Sequence, residues 1–494
     1  MPKRPKEQQK TAISADDLGA CLRVLGAIVA DRGSLAGIDA ETRRELLIAA
    51  GRVSRPERAE QRKLAKAMRR REKDAVRAAD DALLHATGIR ELRRAPVFVT
   101  PGAATPPELP PASAEPRLLH EARKCYVCKA EFTELHAFYD QMCAACGELN
   151  WQKRHQTADL RGRTALVTGA RVKIGYQAAV KLLRAGARVI VTTRFPRDAA
   201  QRYAREEDFS SWGERLVVYG LDLRHTPSVE AFAKHVAAHE ARLDFILHNA
   251  CQTVRRPPGY YAHLMAGEAG PLDALPPGTH ALLTSHEELV HARPGARLTA
   301  DLSQARLTPE DHALAGRVDL FPLGALDQDL QQIDLRTHNS WRLALAEVPT
   351  VELLEVMLVN AVAPFVLSAR LKALMLRDPT GDKQIVNVSA MEGQFYREHK
   401  TDKHPHTNMA KAALNMLTRT SSADYARDGI YMNSVDTGWV TDEDPAHLAA
   451  RKVEEHRFHP PLDIVDGAAR ICDPVFTLSR LHGLFYKDYR PIPW

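Results

Sequence analysis

The run Thr164–Gly175, TALVTGARVKIG, constrains this chain more than any other stretch. Ala165–Val167 read as a buried strand, Thr168-Gly169 turns the chain, and Gly175 leaves room for close backbone packing where a helix begins. Uncapped amides at such a helix N-terminus suit a pyrophosphate. Alone, a Gly-rich turn is a weak signal, but this one opens an ordered series. Val189–Thr193 is a second apolar strand, and Leu216–Leu221 is a third that ends in Asp222-Leu223. Phe245–Cys251 closes on Asn249-Ala250, and Ile385–Ser389 is a fifth strand. Helix-length amphipathic segments lie between them. That alternation predicts an α/β fold with a doubly wound parallel sheet.

Further motifs follow in order. Asn360 lies in the helical segment LEVMLVNAVAPF, Lys411 lies in TNMAKAALNMLT, and IYMNSVDTGWVT comes next. Together these resemble the short-chain dehydrogenase/reductase family over residues 159–494. The resemblance implies a Rossmann-type sheet that binds NAD(H) or NADP(H) beyond the strand carboxyl ends. It also implies a cofactor site built from Gly169, Arg171, Lys173, Ile174, Gly175, Arg194, Asp222, Leu223, Asn249, Lys411, Gly438 and Thr441. Lys173 stands where the family's glycine pattern has its middle glycine. At the end of the second strand an acidic residue would favour NAD; the chain instead has Thr192-Thr193-Arg194 with Arg197 nearby, which favours a 2′-phosphate and hence NADP(H), NAD being the alternative.

Matched residue by residue, the family's proton relay falls on Asn360, Ser389 and Lys411. Its tyrosine, four residues before the lysine, is Thr407 here. A threonine hydroxyl cannot take over from a phenol with a reference pKa of about 10. The segment between Ser389 and Lys411 is longer than usual and carries Tyr396, His399, His404 and His406. Tyr396, which has the right functional group, is placed ahead as the substitute donor, with His406 as the rival on the strength of imidazole acid–base chemistry.

Four of the seven cysteines form two pairs, Cys125/Cys128 and Cys143/Cys146, separated by fourteen residues. Two such knuckles can present four thiolates tetrahedrally to one Zn²⁺, a closed and therefore structural site. His136 lies between the pairs, but four Cys already fill the shell. The aromatic residues around the knuckles read as the packing of a small core. The odd cysteine count argues against a disulfide framework and for a reducing compartment, with a cytoplasmic location as the default.

The rest of the chain divides into three parts. Residues 1–95 read as helical and partly basic, 96–116 as an extended Pro/Ala linker, and 117–158 as the zinc knuckle. Residues 52–77 hold eleven Lys/Arg against four Asp/Glu, so the formal net charge of +6 lies almost wholly there. Aromatic partners are absent from that segment, and a solvated helix is the expected reading over a nucleic-acid surface. Residues 252–350 interrupt the family pattern as a Pro-, Gly-, His- and Arg-rich insert. No apolar run is read as spanning a bilayer, and the C-terminal HGLFYKDYRPIPW is read as a tail packed on the domain. The expected activity is hydride transfer between NADP(H) and a small-molecule carbonyl or alcohol. The alternative is a dinucleotide-binding scaffold that has lost catalysis and contacts macromolecular partners. A homo-oligomer is implied by the resemblance.

Overall fold

The computed structural model describes residues 13–102, 117–292, 299–396 and 400–494, and the chain divides into two compact units, up to Ala79 and Asp80–Trp494. In the first unit the helix Ala15–Ala30 starts at a capping box, where Ser14 Oγ accepts from Asp17 N (3.0 Å) and Asp17 reaches back to Ser14. A second helix, Ala40–Ser54, is capped by Asp39. A long charged helix, Arg58–His85, begins two residues after Pro56. The apolar stripe of the first helix is exposed: Leu18 and Leu22 are 54% and 70% accessible.

The second unit is built on an eight-stranded sheet, ordered β10-β9-β8-β7-β6-β3-β4-β5. Its strands are β3 Thr164–Thr168, β4 Arg188–Thr193, β5 Leu216–Gly220, β6 Phe245–His248, β7 Lys383–Ser389, β8 Ile430–Asp436, β9 Phe485–Lys487 and β10 Arg490–Ile492. All pair in parallel except β10, which runs antiparallel to β9. Successive side chains enter opposite cores, as the two-residue period of a strand requires. Ala165, Val167, Val189 and Val191 pack under the helices Lys173–Arg184 and Ile464–Thr477. Leu166, Ile190 and Ile246 pack under Thr226–His239 and Ala363–Met375. The strand order reverses beside β3, between β4 and β6, and this is where open α/β sheets bind their ligands. The C-terminal stretch read as a packed tail is instead the β9–β10 hairpin, which extends the sheet; its residues are too few for a two-residue period to show.

The cysteine-rich segment is no appended module. Its hairpin, β1 Leu118–Lys124 with β2 Glu131–Glu134, and its helix Ala144–His155 share one core with Val440, Leu462, Ile464 and Val465. Buried Arg154 donates to both oxygens of Asp463 (2.6 and 2.8 Å) and to Asp466 (3.0 Å), and Tyr139 Oη donates to Asp466 Oδ1 (2.6 Å). Burial alone would raise the Asp463 pKa, but Arg154 outweighs it and holds the carboxyl below its usual range. The larger unit also begins earlier than the composition indicates. Ile89 N donates to Phe138 O (2.9 Å), and Arg90 pairs with Asp140 (2.5 Å). Residues 97–102, read as linker, lie on the core: Phe98 N donates to Gln328 O (2.9 Å) and Thr100 Oγ1 to Glu206 (2.7 Å). The remainder of that stretch, 103–116, lies outside the described residues.

Thr350–Met375 is a 26-residue helical run, long and apolar enough by length and composition to cross a bilayer, contrary to the sequence reading. Here it packs on the sheet, with Leu367, Leu371 and Leu374 fully in the core.

Arg154→Ala would strand two buried carboxylates. We expect a loss of about 3–5 kcal/mol, the scale for breaking a buried ion pair, read as a shift of the denaturant midpoint. A midpoint within error of the parent would show that the cysteine segment is not held by this pair.

Candidate active site

The phosphate-binding turn is held from three sides. Gly169 has φ of +67°, a left-handed conformation in which a side chain is strained, and its amide donates to Thr192 O (2.9 Å). Asn249 Nδ2 donates to the carbonyls of Thr168 and Gly169 (3.1 Å each), and Ala250 N donates to Thr168 Oγ1 (3.1 Å). Asn249 thus clasps the turn with its own amide. A Cβ on Gly175 would stand 2.3 Å from Asn249 Nδ2 and 2.5 Å from Gly169 O. The helix Lys173–Arg184 opens on Val172 with no side-chain cap, so its first amides are left for a ligand. A dinucleotide pyrophosphate fits this cradle.

Lys173 stands in the left-handed region that favours glycine, with φ of +57°. Its side chain lines a cavity of about 370 Å³ with Asp329 and Leu330 of the insert. Burial pushes the Asp329 carboxyl up, and Lys173 partly offsets this. Ile174 packs against Gly467 and the core beneath the cysteine segment.

The insert folds over the end of β4, through the helices Pro258–Ala269 and Thr279–Ala292. Arg194 donates to Tyr261 Oη (2.6 Å) and lies over the Tyr261 ring (4.5 Å to its centroid). Arg171 is buried and pairs with Asp198 (2.7 Å), which also binds Arg202 (2.6 Å). Burial would raise the Asp198 pKa, but the two arginines hold it below the usual range. The Arg197 guanidinium donates to Gly270 O. The arginines read as open to a 2′-phosphate are therefore all engaged with protein groups. Asp222 is buried and bound by Arg224 (2.6 Å), which also reaches Glu355 (2.9 Å). Burial pushes Asp222 up, and Arg224 outweighs it. Glu355 in turn accepts from Arg255 (3.0 Å), and Arg255 grips Asp311 with two bonds (2.6 and 2.9 Å). Leu223 is buried beside this network.

On the reaction side, Asn360 sits in a π-helical turn, Leu358–Val362, of the kind often found at functional sites. Its amide bonds both backbone groups of Gln252 (2.9 and 3.1 Å), tying the helix to the chain leaving β6. Ser389, at the carboxyl end of β7, donates to Asn415 Oδ1 (2.6 Å). Lys411 Nζ donates to Val388 O (2.8 Å). Thr407 lies one turn before Lys411 on the helix Pro405–Arg427; its Oγ1 is buried with no hydrogen-bond partner among the described residues. The structure places Asn360 beside the chain leaving β6, and Ser389 and Lys411 at the carboxyl end of β7.

Tyr396 is not brought in. It is 49% exposed and follows Phe395, which is 84% exposed. The lengthened loop therefore leaves about half of this residue open to solvent. His399 lies outside the described residues. His404 takes a left-handed cap position and stacks on Trp341 (3.8 Å between centroids, 6°), and burial lowers its pKa. His406 is the interior group: 2% accessible, it lies with Nε2 3.4 Å from a carboxylate oxygen of buried Glu352. Neither ring nitrogen has a hydrogen-bond partner among the described residues. Glu352 and Glu355 were missed in the sequence. Their signal was two carboxylates, three apart, inside the apolar helix that carries Asn360.

Beyond β8, Asp436 accepts from Met391 N (2.8 Å) and Gly438 N (2.7 Å), and burial raises its pKa. Gly438 has φ of +75°. Thr441 Oγ1 donates to Glu443 (2.7 Å), so its hydroxyl is engaged. Trp439 N donates to Tyr126 Oη (3.0 Å); Tyr126 lies between Cys125 and Cys128. The cysteine knuckle thus touches the loop expected to face the nicotinamide. The Sγ atoms of Cys125, Cys128, Cys143 and Cys146 lie within 4.8 Å of one another, with Cys128 and Cys143 3.8 Å apart. A tetrahedral ion with metal–sulfur bonds of about 2.3 Å demands sulfur separations of about that size. Burial would raise the Cys125 pKa, but amides of Cys143, Cys128 and Val127 bring it down to about 7. His136 stands aside from these sulfurs, its Nδ1 accepting from Phe138 N (3.1 Å).

A doubly wound parallel sheet, a glycine cradle at its switch point, and Asn, Ser and Lys at its carboxyl end define an NAD(P)-binding oxidoreductase scaffold. Residues 163–260 match the family model for short chain dehydrogenase, and residues 325–459 match that for enoyl-(acyl carrier protein) reductase. An uncharacterized protein of Acanthamoeba polyphaga mimivirus is 31% identical over 379 residues, covering 74% of each chain. Dehydrogenase/reductase SDR family member 13 of Homo sapiens is 43% identical over 94 residues, 19% of this chain and 24% of that one. Retinol dehydrogenase 11 of Homo sapiens is 30% identical over 141 residues, 28% of this chain and 43% of that one. The chain thus spans less than half the length of these two dehydrogenases. It belongs to the short-chain dehydrogenase/reductase family.

Gly175→Ala tests the cradle. The added methyl meets a main-chain oxygen, so relief must come from backbone movement, at a cost of about 1–3 kcal/mol. NAD(P)H affinity measured by calorimetry should fall markedly in a variant that remains folded. Unchanged affinity would place the dinucleotide elsewhere.

Proposed function

We propose that the protein is an NADP(H)-dependent oxidoreductase acting on a carbonyl or alcohol, with His406 and Thr407 in place of the usual tyrosine. One observation carries this reading: on the helix that bears Lys411, Thr407 Oγ1 and both nitrogens of His406 are buried with no hydrogen-bond partner among the described residues, and His406 Nε2 lies 3.4 Å from the Glu352 carboxylate. Orphaned polar groups cost about 1–3 kcal/mol each, and a substrate oxygen approaching Ser389 would give the Thr407 hydroxyl a partner. Bound NADP(H) supplies or accepts the hydride. His406, paired with Glu352, supplies the proton that a reduced carbonyl oxygen needs and takes it back in the reverse direction. Ser389 orients the substrate oxygen, and Lys411 binds the nicotinamide ribose. Asn360 and Asn249 act on the backbone around the site.

The NADP(H) preference rests on Arg194 at the end of β4 and on Asp198 being neutralised by two arginines. Four thiolates at tetrahedral separation favour a structural Zn²⁺, which braces the loop at Gly438 through Tyr126. Exposed Leu354, Phe365, Met409 and Met416, on the helices bearing Asn360 and Lys411, favour pairing with a second copy of the chain.

Two outcomes test the reading. NADPH should bind more tightly than NADH, and Arg194→Ala should shrink the difference; equal affinities in the parent would remove the NADP(H) assignment. On a verified carbonyl substrate, His406→Ala should lower turnover by about two to four orders of magnitude with NADPH affinity nearly unchanged, while Tyr396→Phe should keep near-parental rates. Full activity in His406→Ala would return the donor role to the loop or to solvent. Tight NADPH binding without turnover across a broad carbonyl and alcohol panel would favour the lapsed scaffold.

A further inference from the structure

A second group of ligand-type side chains lies far along the chain from the cysteines. His235 and His239 stand four residues apart on the helix Thr226–His239, a spacing that puts both imidazoles on one face. Their rings stack with centroids 4.0 Å apart and planes 25° from parallel. Glu288, on the insert helix Thr279–Ala292, faces them. One ring nitrogen of each histidine and one Glu288 oxygen all lie within 4.8 Å of one another.

Two details point to a ligand rather than to a chance contact. His239 Nδ1 is 2.8 Å from His235 O, which fixes the proton on that nitrogen and leaves the Nε2 lone pair free. His235 is 8% exposed, and its Nε2 is buried with no hydrogen-bond partner among the described residues. His239 and Glu288 are exposed, leaving a route for an ion from solvent.

We propose that His235, His239 and Glu288 bind a divalent transition metal of the zinc, cobalt, nickel and copper class. Two imidazoles and one carboxylate suit these ions better than Mg²⁺ or Ca²⁺, which prefer oxygen ligands throughout. Three protein ligands leave a coordination position to water. The ion joins a helix of the dinucleotide-binding core to the insert that covers Arg194, and so fixes the insert's place. The site is separate from the cysteine cluster in both residues and ligand chemistry.

The test uses the full-length protein as purified, titrated with Co²⁺ and followed by metal analysis after desalting and by visible absorption. The parent should take up about one Co²⁺ per chain at a site of this ligand count without a thiolate-to-cobalt charge-transfer band, and its melting temperature should rise with the added ion. His239→Ala and Glu288→Gln change exposed side chains; each should lose that ion and the thermal shift while keeping the circular dichroism of the parent. Should His239→Ala misfold, Glu288→Gln decides. Equal cobalt uptake by parent and variant, no uptake by the parent, or uptake seen only with the thiolate band would each overturn the proposal.

Discussion

The dinucleotide end of this molecule depends on one place where no side chain fits. Gly175 brings the first turn of its helix against Gly169 O and the Asn249 amide, at distances a Cβ would violate. That approach sets where the helix amides point. Asn249 then holds the turn from β6, so the two strands flanking the switch point share a single clasp. The rest of the site is arranged around that geometry: Ser389 and Lys411 from β7 and the following helix, Asn360 from a widened turn across from them.

The insert is wired into this arrangement by charge. Asp222, Arg224, Glu355, Arg255 and Asp311 form a continuous chain of ion pairs from the end of the third strand of the fold, through the helix of Asn360, to the insert. Each member is largely buried, and buried ion pairs are costly to break from one side although their net contribution is modest. Such a chain fixes position more than it adds stability. It ties the Asn360 helix to the insert through Glu355 and Arg255.

Much of this was readable beforehand because it is written in short-range patterns. The strands β3, β4 and β6 and the glycine turn announce themselves by composition and spacing, and so do the two CxxC pairs. What escaped depended on long-range placement. Tyr396 had the right chemistry, but its exposure is decided by how a lengthened loop folds, which no local pattern reports. Glu352 shows no partner in the sequence, because His406 lies 54 residues further along the chain. Arg171 and Arg194 looked open because their partners, Asp198 and Tyr261, lie 27 and 67 residues away. The hairpin β9–β10 was missed because each strand has three residues.

The insert helix Thr279–Ala292 has a consequence that catalysis does not require. Leu216–Gly220 is the outermost strand on its side of the sheet, apolar and buried along its whole length. Bare, it would be a template for another chain, since an unpaired apolar edge recruits strands into aggregates. Leu282 and Leu283 of the insert pack in the core that holds Leu216 and Val218, and His286 Nδ1 accepts from Gly220 N (3.3 Å). The insert is thus also the sheet's guard against self-association, and trimming it toward a shorter family member would trade a covered edge for an adhesive one.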